Sequence, residues 1–221
     1  MATTLPKPQV KHDHIVKVAR SLFVKNGVHH VSIPMIVKAS GTSTGAIYHH
    51  FGSKENLVSF IRKKTLDDFY QEFDHRLAGK ETAQEKLAVF AQLIFEITEN
   101  DPDMMGYMLF INQGDLKSVE PPLCFTDPFR RVQAIVRKGI EDGEIKPGEV
   151  YILGAAYTGV ILRAAELRLI CVLEQPLTQI GDLIIENAWA AIRNFPKDGE
   201  VTPAKGVFPK QNDLDNRRLS T

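Results

Sequence analysis

Apolar residues recur every three or four positions along most of this chain, which is the spacing that places side chains on one side of an α-helix. The first such stripe consists of five residues: Ile15, Val18, Ala19, Leu22 and Phe23. Gly27 follows it, and glycine commonly ends a helix because it adopts the left-handed conformation without strain. The pattern therefore predicts a first helix over residues 12–26.

Two short helices are predicted next, with a tight turn between them. Ser32 can cap the first, and Pro34 fits its first turn, where a helix leaves the backbone N–H unbonded in any case. The turn is Ser40-Gly41-Thr42, in which the glycine is free to take positive φ. Ser43 can cap the second short helix, which we predict over residues 44–50.

Longer helices fill the chain up to residue 195. Ser53 can cap a fourth helix, whose apolar positions continue to Phe73. Beyond it, segments of helical period are separated by breaks at proline and glycine. They predict helices over residues 83–99, 104–113, 127–142, 147–172 and 177–195. Because no segment alternates between apolar and polar residues as a half-buried strand does, we predict an all-α fold.

These helices predict a chain of four parts. Residues 1–52 form a three-helix helix-turn-helix domain, and residues 53–76 form a connecting helix that completes it. Residues 77–195 form a larger helical domain. Residues 196–221 mix proline, glycine and charged residues with little apolar periodicity, which is typical of an irregular tail.

Charge is distributed unevenly, although the whole chain has 27 basic and 27 acidic residues. Residues 1–66 contain ten lysine and arginine residues and two acidic ones, a net charge of +8, which leaves 17 basic and 25 acidic residues for the rest. Six of the seven histidines also lie in residues 1–66. A basic domain joined to an acidic one is expected of a protein that binds phosphate groups with one end, although a solvated basic face is an alternative.

The two short helices with their glycine turn form a helix-turn-helix unit, in which the second helix enters the major groove of DNA. Combined with the basic charge, this unit predicts double-stranded DNA as a partner. An ordinary three-helix cluster that packs on the rest of the chain is the other interpretation.

Other classes of protein have little support in this sequence. The chain lacks G-x-S-x-G, the P-loop, G-x-G-x-x-G and H-E-x-x-H, so we do not expect an enzyme. Cys124 and Cys171 have no CxxC spacing, and no carboxylate or thiol completes the paired histidines, so we predict no metal and no cofactor. The longest uncharged apolar stretch, residues 150–162, is shorter than the roughly 20 residues that span a bilayer. We expect a cytoplasmic protein that does not enter the membrane.

Residues 31–57 read VSIPMIVKASGTSTGAIYHHFGSKENL. This segment resembles the DNA-binding signature of the TetR (tetracycline-repressor) family, and the resemblance covers residues 13–65. The shared positions are Gly41, Ser43, residues 45–48, His50-Phe51, residues 53–55 and Leu57, whereas Val37 and Ser40 stand where the family usually has alanine. The resemblance implies a dimeric transcriptional regulator, a repressor, whose larger helical domain dimerises and binds a small ligand.

The resemblance also implies which residues contact DNA. Thr44, Gly45 and Ala46 are expected at base edges, at the leading end of the helix that reads the groove. Tyr48 and His49 are expected at phosphate or sugar. The phosphate candidates are Ser32, Thr42, Ser43 and Lys54. His50 is also a candidate, with a packed, hydrogen-bonded side chain as the alternative.

One such helix makes too small an interface for nanomolar specificity, which implies a homodimer and a palindromic operator. The last two helices are the natural dimer helices, because two from each subunit would form a four-helix bundle. The expected contact residues are Gly159, Leu183, Ile184, Ala188, Trp189 and Ile192.

Large, adaptable side chains in the middle helices predict a pocket for a small apolar or aromatic effector. The candidates are Phe90, Ile94, Phe95, Met104, Met105, Met108, Phe125, Phe129, Tyr157 and Arg163. The same residues would suit a packed core, and Arg163 would equally suit a surface salt bridge. The alternative function is a helix-turn-helix regulator without a small-molecule ligand, controlled by a protein partner, and a filled core in the larger domain would favour it.

Overall fold

In the computed structural model of the chain, residues 7–111 and 123–195 are described, and within them every regular element is helical. The helices are α1 (Lys7–Asn26), α2 (Ile33–Ser40), α3 (Thr44–Phe51), α4 (Lys54–Arg76), α5 (Ala83–Asn100), α6 (Pro102–Phe110), α7 (Asp127–Glu141), α8 (Val150–Leu169) and α9 (Leu177–Ala190). A short 3₁₀ turn over Leu123–Phe125 precedes α7. The all-α fold predicted from the sequence is confirmed.

Serine side chains cap α3 and α4, as predicted. The side chains of Ser43 and Ser53 accept hydrogen bonds from the backbone N–H of Ala46 and Asn56, each at 3.1 Å. Gly41 has φ of 64°, the left-handed conformation that the turn between α2 and α3 requires. The helix-turn-helix geometry therefore follows from local sequence.

The apolar side chains form two clusters. The first, here called the head core, joins α1, α2, α3 and the start of α4, and its fully buried members include Phe23, Ile47 and Leu57. The second, the body core, runs from Phe69 in α4 to Ile192 beyond α9. In it the ring of Phe90 packs edge-on against the rings of Phe69, Phe73 and Phe129, with ring centres 5.6–5.8 Å apart.

α6 connects the two cores. It packs against α1 and α4 on one side and against α5 and α8 on the other. Tyr107 belongs to the head core, and its hydroxyl donates to the carbonyl of Val58 at 2.9 Å. Met105, two residues earlier, is fully buried in the body core. The head core is thus completed by residues that lie well beyond the predicted boundary at residue 76.

Two helices are shorter than predicted, for identifiable reasons. α8 begins after Pro147-Gly148 and ends before Cys171, whose φ is 59°. α9 ends at Ala190 rather than at residue 195, because the next residues pair with the loop before α8: the N–H of Lys146 donates to Ile192 O and that of Asn194 to Glu144 O. α6 ends at Phe110, and the predicted positions 112 and 113 lie outside the described residues.

By length and composition, α8 could cross a membrane: its mean hydropathy is 1.3 over an 18-residue window. The helix continues past Leu162 through Arg163, Glu166 and Arg168, so it is longer than the uncharged stretch over residues 150–162. Its buried side, including Tyr157 and Ile161, packs into the body core. A core helix passes the same test, so this feature is weak evidence for a membrane span.

Candidate DNA-binding surface and ligand site

α3 has one buried side and one exposed side. Ile47 and Phe51 are buried in the head core. Thr44, Gly45 and His49 are exposed, and the Tyr48 side chain is 51% exposed. The two apolar residues anchor the helix, so the polar residues predicted to meet DNA are accessible together on one surface.

Gly45 is not required by the packing of the protein. A methyl group added there would have only the Ser43 hydroxyl nearby, at 4.0 Å. Its backbone is ordinary right-handed helix, where alanine would be the better residue. A glycine that the fold does not need leaves room for a molecule outside the protein.

Serine hydroxyl groups lie at the starts of α2 and α3. Ser32 precedes α2, is exposed, and makes no side-chain hydrogen bond to the helix that it caps. Ser43 accepts from Ala46 N–H through its oxygen, which leaves its own O–H available to an acceptor. Thr42, in the turn, is half-buried. Hydroxyls at helix N-termini suit phosphate oxygens, because the helix dipole favours negative charge there.

Lys54, the remaining predicted phosphate contact, is engaged inside the protein. Its Nζ donates to the backbone carbonyls of Val28 and Val31, both at 2.9 Å. An ammonium group has three donors, so two of them are used by the loop between α1 and α2.

His50 packs against aromatic rings although it is exposed. Its ring centre lies 5.7 Å from that of His12 and 5.4 Å from that of His49. His12 in turn contacts Phe51 and Phe60, with ring centres 4.9 and 4.8 Å away. This arrangement fits the packed alternative given for His50. Among the described residues no three His, Cys, Asp or Glu side chains are grouped to hold a metal ion.

Three of the six residues predicted at the dimer interface are buried within the single chain. Ala188, Trp189 and Ile192 are at most 7% exposed within a single chain, because α9 packs this side against α5 and α8. The packing is close: a methyl group on Gly181 would lie 2.9 Å from the Phe95 ring. Leu183 is 64% exposed, Gly159 is exposed and Ile184 is half-buried, so these three remain available to a partner.

Most of the predicted ligand residues are buried in the body core or lie at its margin. Five of them are at most 2% exposed in the body core: Phe90, Ile94, Phe95, Met105 and Tyr157. Met104 and Met108 are half-buried at its margin. Phe125 is 44% exposed, and Arg163 is exposed and pairs with Glu166 at 2.6 Å. For Arg163 the structure therefore favours the surface salt bridge over a ligand contact.

Phe129 alone of the ten lines the most apolar cavity described in the protein. This cavity, here called the α7–α8 cleft, has a volume of about 360 Å³. Its walls are Leu123, Phe129, Val132, Gln133, Tyr151, Gly154, Ala155, Thr158 and Leu162. A methyl group on Gly154 would meet no atom within 4 Å, so this glycine widens the cleft. The periodic pattern did not single out these residues, because they come from the edges of two helices rather than from one stripe.

A second cavity, of about 380 Å³, lies between α4 and the start of α7 and includes Phe125. Four of its five charged side chains form local pairs: Lys63 with Asp67, and Arg130 with Asp127.

Tyr157 has a buried hydroxyl without a hydrogen-bond partner among the described residues. Burial raises the pKa of this phenol well above its ordinary value, so it stays protonated and remains a donor. Its neighbours in sequence, Gly154 and Thr158, line the α7–α8 cleft. A buried hydroxyl without a partner is unusual in proteins and is expected to bond water or a ligand.

Residues 15–59 match the family described as "Bacterial regulatory proteins, tetR family". The chain is similar to the "Fatty acid metabolism regulator protein" of Bacillus subtilis, with 26% identity over 62% of this chain and 72% of that protein. It is also similar to the "HTH-type transcriptional repressor KstR2" of Mycolicibacterium smegmatis, with 24% identity over 66% and 74% of the two chains.

Solved structures agree with this assignment at the level of the fold. The crystal structure of the regulator FadR from Bacillus subtilis in complex with stearoyl-CoA superposes with a TM-score of 0.67 and 22% identity, over 82% of this chain and 99% of that one. The helix-turn-helix with its exposed α3, the matching segment and the shared fold together place this chain in the TetR family of DNA-binding transcriptional regulators.

Proposed function

We propose that this protein is a homodimeric repressor that binds a palindromic operator and is released from it by an apolar small molecule. The observation that carries the proposal is the exposed side of α3, where Gly45 leaves space that the fold does not need. Relatives that are named as repressors support the direction of regulation.

In this proposal Thr44 and Ala46 contact base edges, the first by its hydroxyl and the second through a thymine methyl group. Gly45 lets the backbone approach the bases. Tyr48 and His49, one turn further, contact phosphate or sugar, as do the hydroxyls of Ser32, Thr42 and Ser43. His50 contributes through packing on His12.

The dimer forms through α8 and α9, as a four-helix bundle with the same helices of a second copy. Apolar side chains on the exposed side of this helix pair support it: Ile152 is 69% exposed, Leu183 64% and Val160 38%. Gly159 lies between them and allows close approach. Two-fold symmetry then places the half-sites about 34–36 Å apart, one turn of DNA.

The ligand binds at the α7–α8 cleft, which Phe129 and Thr158 line. The nearly apolar walls favour a ligand with an aliphatic or aromatic part and few polar atoms. The complex of FadR with stearoyl-CoA makes acyl chains the first class of ligand to test.

α6 transmits ligand binding to the DNA-binding domain. Arg20 of α1 is 8% exposed and donates at 2.5 Å to Asp101, whose other oxygen accepts from the Met104 N–H and caps α6. On the same side, Tyr107 bonds to Val58 in α4. A shift of α6 therefore moves both α1 and α4. A tenfold to hundredfold loss of operator affinity needs a coupling of only about 1.4–2.8 kcal/mol.

A regulator without a small-molecule ligand, controlled by a protein partner, is the second candidate. The burial of the body core favours it, because five of the expected pocket residues are at most 2% exposed and the α7–α8 cleft is open to solvent.

The test is selection of binding sites from random duplex DNA with the wild-type protein and with Tyr48→Ala. Tyr48 is 51% exposed, so this variant leaves the core intact. We expect a palindromic consensus that the variant does not enrich. Wild-type protein that enriches nothing would contradict the proposal. Release of the selected operator is then measured with fatty acids and acyl-coenzyme A esters of increasing length, and release by none of them would favour the second candidate.

A further inference from the structure

Lys54 is the first residue of α4, and its ammonium group bonds to a part of the chain more than twenty residues away. It donates to the carbonyls of Val28 and Val31 at 2.9 Å each, and the side chain is half-buried. These carbonyls belong to the loop between α1 and α2. The contact therefore joins the start of α4 to that loop.

The loop is held in place on its apolar side as well. The side chains of Val28 and Val31 are 3% and 1% exposed in the head core, whereas His29 and His30 between them are exposed. Lys54 donates to both of these backbone carbonyls from outside the loop. Without the ammonium, the carbonyl of Val31 would lose this donor, and that of Val28 would keep only the longer bond of 3.4 Å from the N–H of Val31.

The position of this contact relative to α3 gives it a role in recognition. α3 ends at Phe51, three residues before Lys54, and α2 begins at Ile33, two residues after Val31. The turn over residues 41–43 connects α2 and α3 at one end, and Lys54 connects the beginning of α2 to the end of α3 at the other. The two helices are thus linked at both ends.

We infer that Lys54 is a positioning residue: it fixes the angle of α3 against α2 through the α1–α2 loop and does not neutralise a phosphate. The inference rests on the proposed DNA-binding function, since it concerns how well α3 fits its operator. It reverses the role that the family resemblance implied for this lysine.

The two roles differ in what they do to non-specific DNA. A residue that neutralises a phosphate supports binding to every DNA sequence. Its loss reduces the magnitude of the slope of log K against log salt concentration by about 0.9. A residue that only positions α3 supports binding to the operator, because base contacts fail when the helix is misplaced and backbone contacts adjust. The ratio of operator affinity to non-specific affinity therefore separates them.

The experiment compares Lys54→Met with wild-type protein and with Lys25→Met, which removes a charge from an exposed position at the end of α1. For Lys54→Met we expect operator affinity to fall about tenfold or more, with non-specific affinity within about twofold of wild type. Amide exchange in residues 28–33 should become faster, which Lys25→Met should not cause. Equal losses on operator and non-specific DNA, with a salt slope lower by about 0.9, would overturn the inference.

Lys54→Gln covers the case in which Lys54→Met does not fold. Glutamine is neutral but still donates N–H bonds, so a positioning role predicts recovery of part of the specificity ratio. If the Lys54→Gln variant folds normally but restores none of the specificity ratio, the positive charge of Lys54 is the cause and the inference is contradicted. If wild-type protein itself prefers no sequence, the proposed function fails, and the exchange rates of residues 28–33 still test the contact.

Discussion

At the scale of single residues, two glycines within helices stand in opposite surroundings. A methyl group on Gly139 in α7 would lie 2.7 Å from a methyl of Ile145 and 2.8 Å from the Cβ of Ala83, whereas one on Gly45 would meet nothing closer than 4.0 Å. The first glycine allows three chain segments to pack, and the second faces solvent. The same residue type thus serves packing in one case and a surface in the other.

Gly139→Ala and Gly45→Ala are therefore expected to act in opposite ways. The first should lower the free energy of unfolding by about 1–3 kcal/mol, because Ala83 cannot move without its helix. The second should leave stability unchanged or raise it by up to about 1 kcal/mol through helix propensity, and should weaken operator binding. Denaturant unfolding and operator titration of both variants test this. A Gly45→Ala variant that binds the operator as wild type does would remove this position from the interface.

Tyr157→Phe removes the buried hydroxyl that has no partner. Because that hydroxyl is desolvated without compensation, we expect the variant to be more stable than wild type by about 1 kcal/mol. A ligand that bonds to Tyr157 should bind the variant more weakly, while operator affinity without ligand stays the same. A loss of stability on urea unfolding would mean that an ordered water satisfies the hydroxyl.

At the scale of helices, Glu99 joins three elements of the body. Its carboxylate accepts from Arg168 Nε at 2.9 Å in α8 and from the N–H of Leu177 at 2.8 Å, where α9 begins. The hydrogen bonds from Arg168 hold the pKa of Glu99 below its ordinary range, and that from Leu177 adds to the effect. Its side chain is 19% exposed, so solvent screens these bonds only in part.

Glu99→Gln should lower the free energy of unfolding by about 1–3 kcal/mol near neutral pH, since it replaces charge-assisted hydrogen bonds. The pKa of Glu99 is lower in the folded than in the unfolded state, so the stabilisation is present above the unfolded value of about 4.3 and disappears as pH falls through the folded one. Unfolding of both proteins from pH 7 down to pH 3 should give curves that converge. A constant difference would mean that charge is not the cause.

Local sequence predicted the helix starts better than the helix ends. Ser43 and Ser53 cap their helices because the signal and the hydrogen bond lie within three residues of each other. The end of α9 is set instead by Lys146 and Glu144, more than forty residues earlier, and periodicity contains no information about that pairing. The packed rather than open surroundings of Phe90 and Phe95 were unpredictable for the same reason.

At the scale of the whole molecule, α9 is apolar on two sides, and sequence cannot tell which side meets the same chain. Trp189 and Ala188 face α5 and α8, whereas Leu183 faces outward. Both sets have the spacing of a buried stripe. The predicted dimer contacts therefore include residues from both sides, and only the packing of the monomer separates the buried ones from the exposed ones.

Leu183→Glu tests the dimer. Because Leu183 is 64% exposed, a charge there should leave the monomer folded and disfavour an apolar interface. Sedimentation should show a shift from dimer to monomer, and operator affinity should fall by more than tenfold, since a monomer has one reading helix. Leu183→Met, which conserves volume, is the matched control. A dimer unaffected by the glutamate would place the interface elsewhere.

The docking of α6 on the head core has a consequence for engineering. Tyr107 and the Arg20–Asp101 pair make the DNA-binding end depend on a segment far along the chain. A chimera that joins only residues 1–76 to the larger domain of another regulator would lack Tyr107. The head core would then lose that side chain and its hydrogen bond to Val58. Hybrid repressors built from this protein need the segment over residues 101–110 grafted together with the head, or a host whose corresponding helix carries the same tyrosine and aspartate.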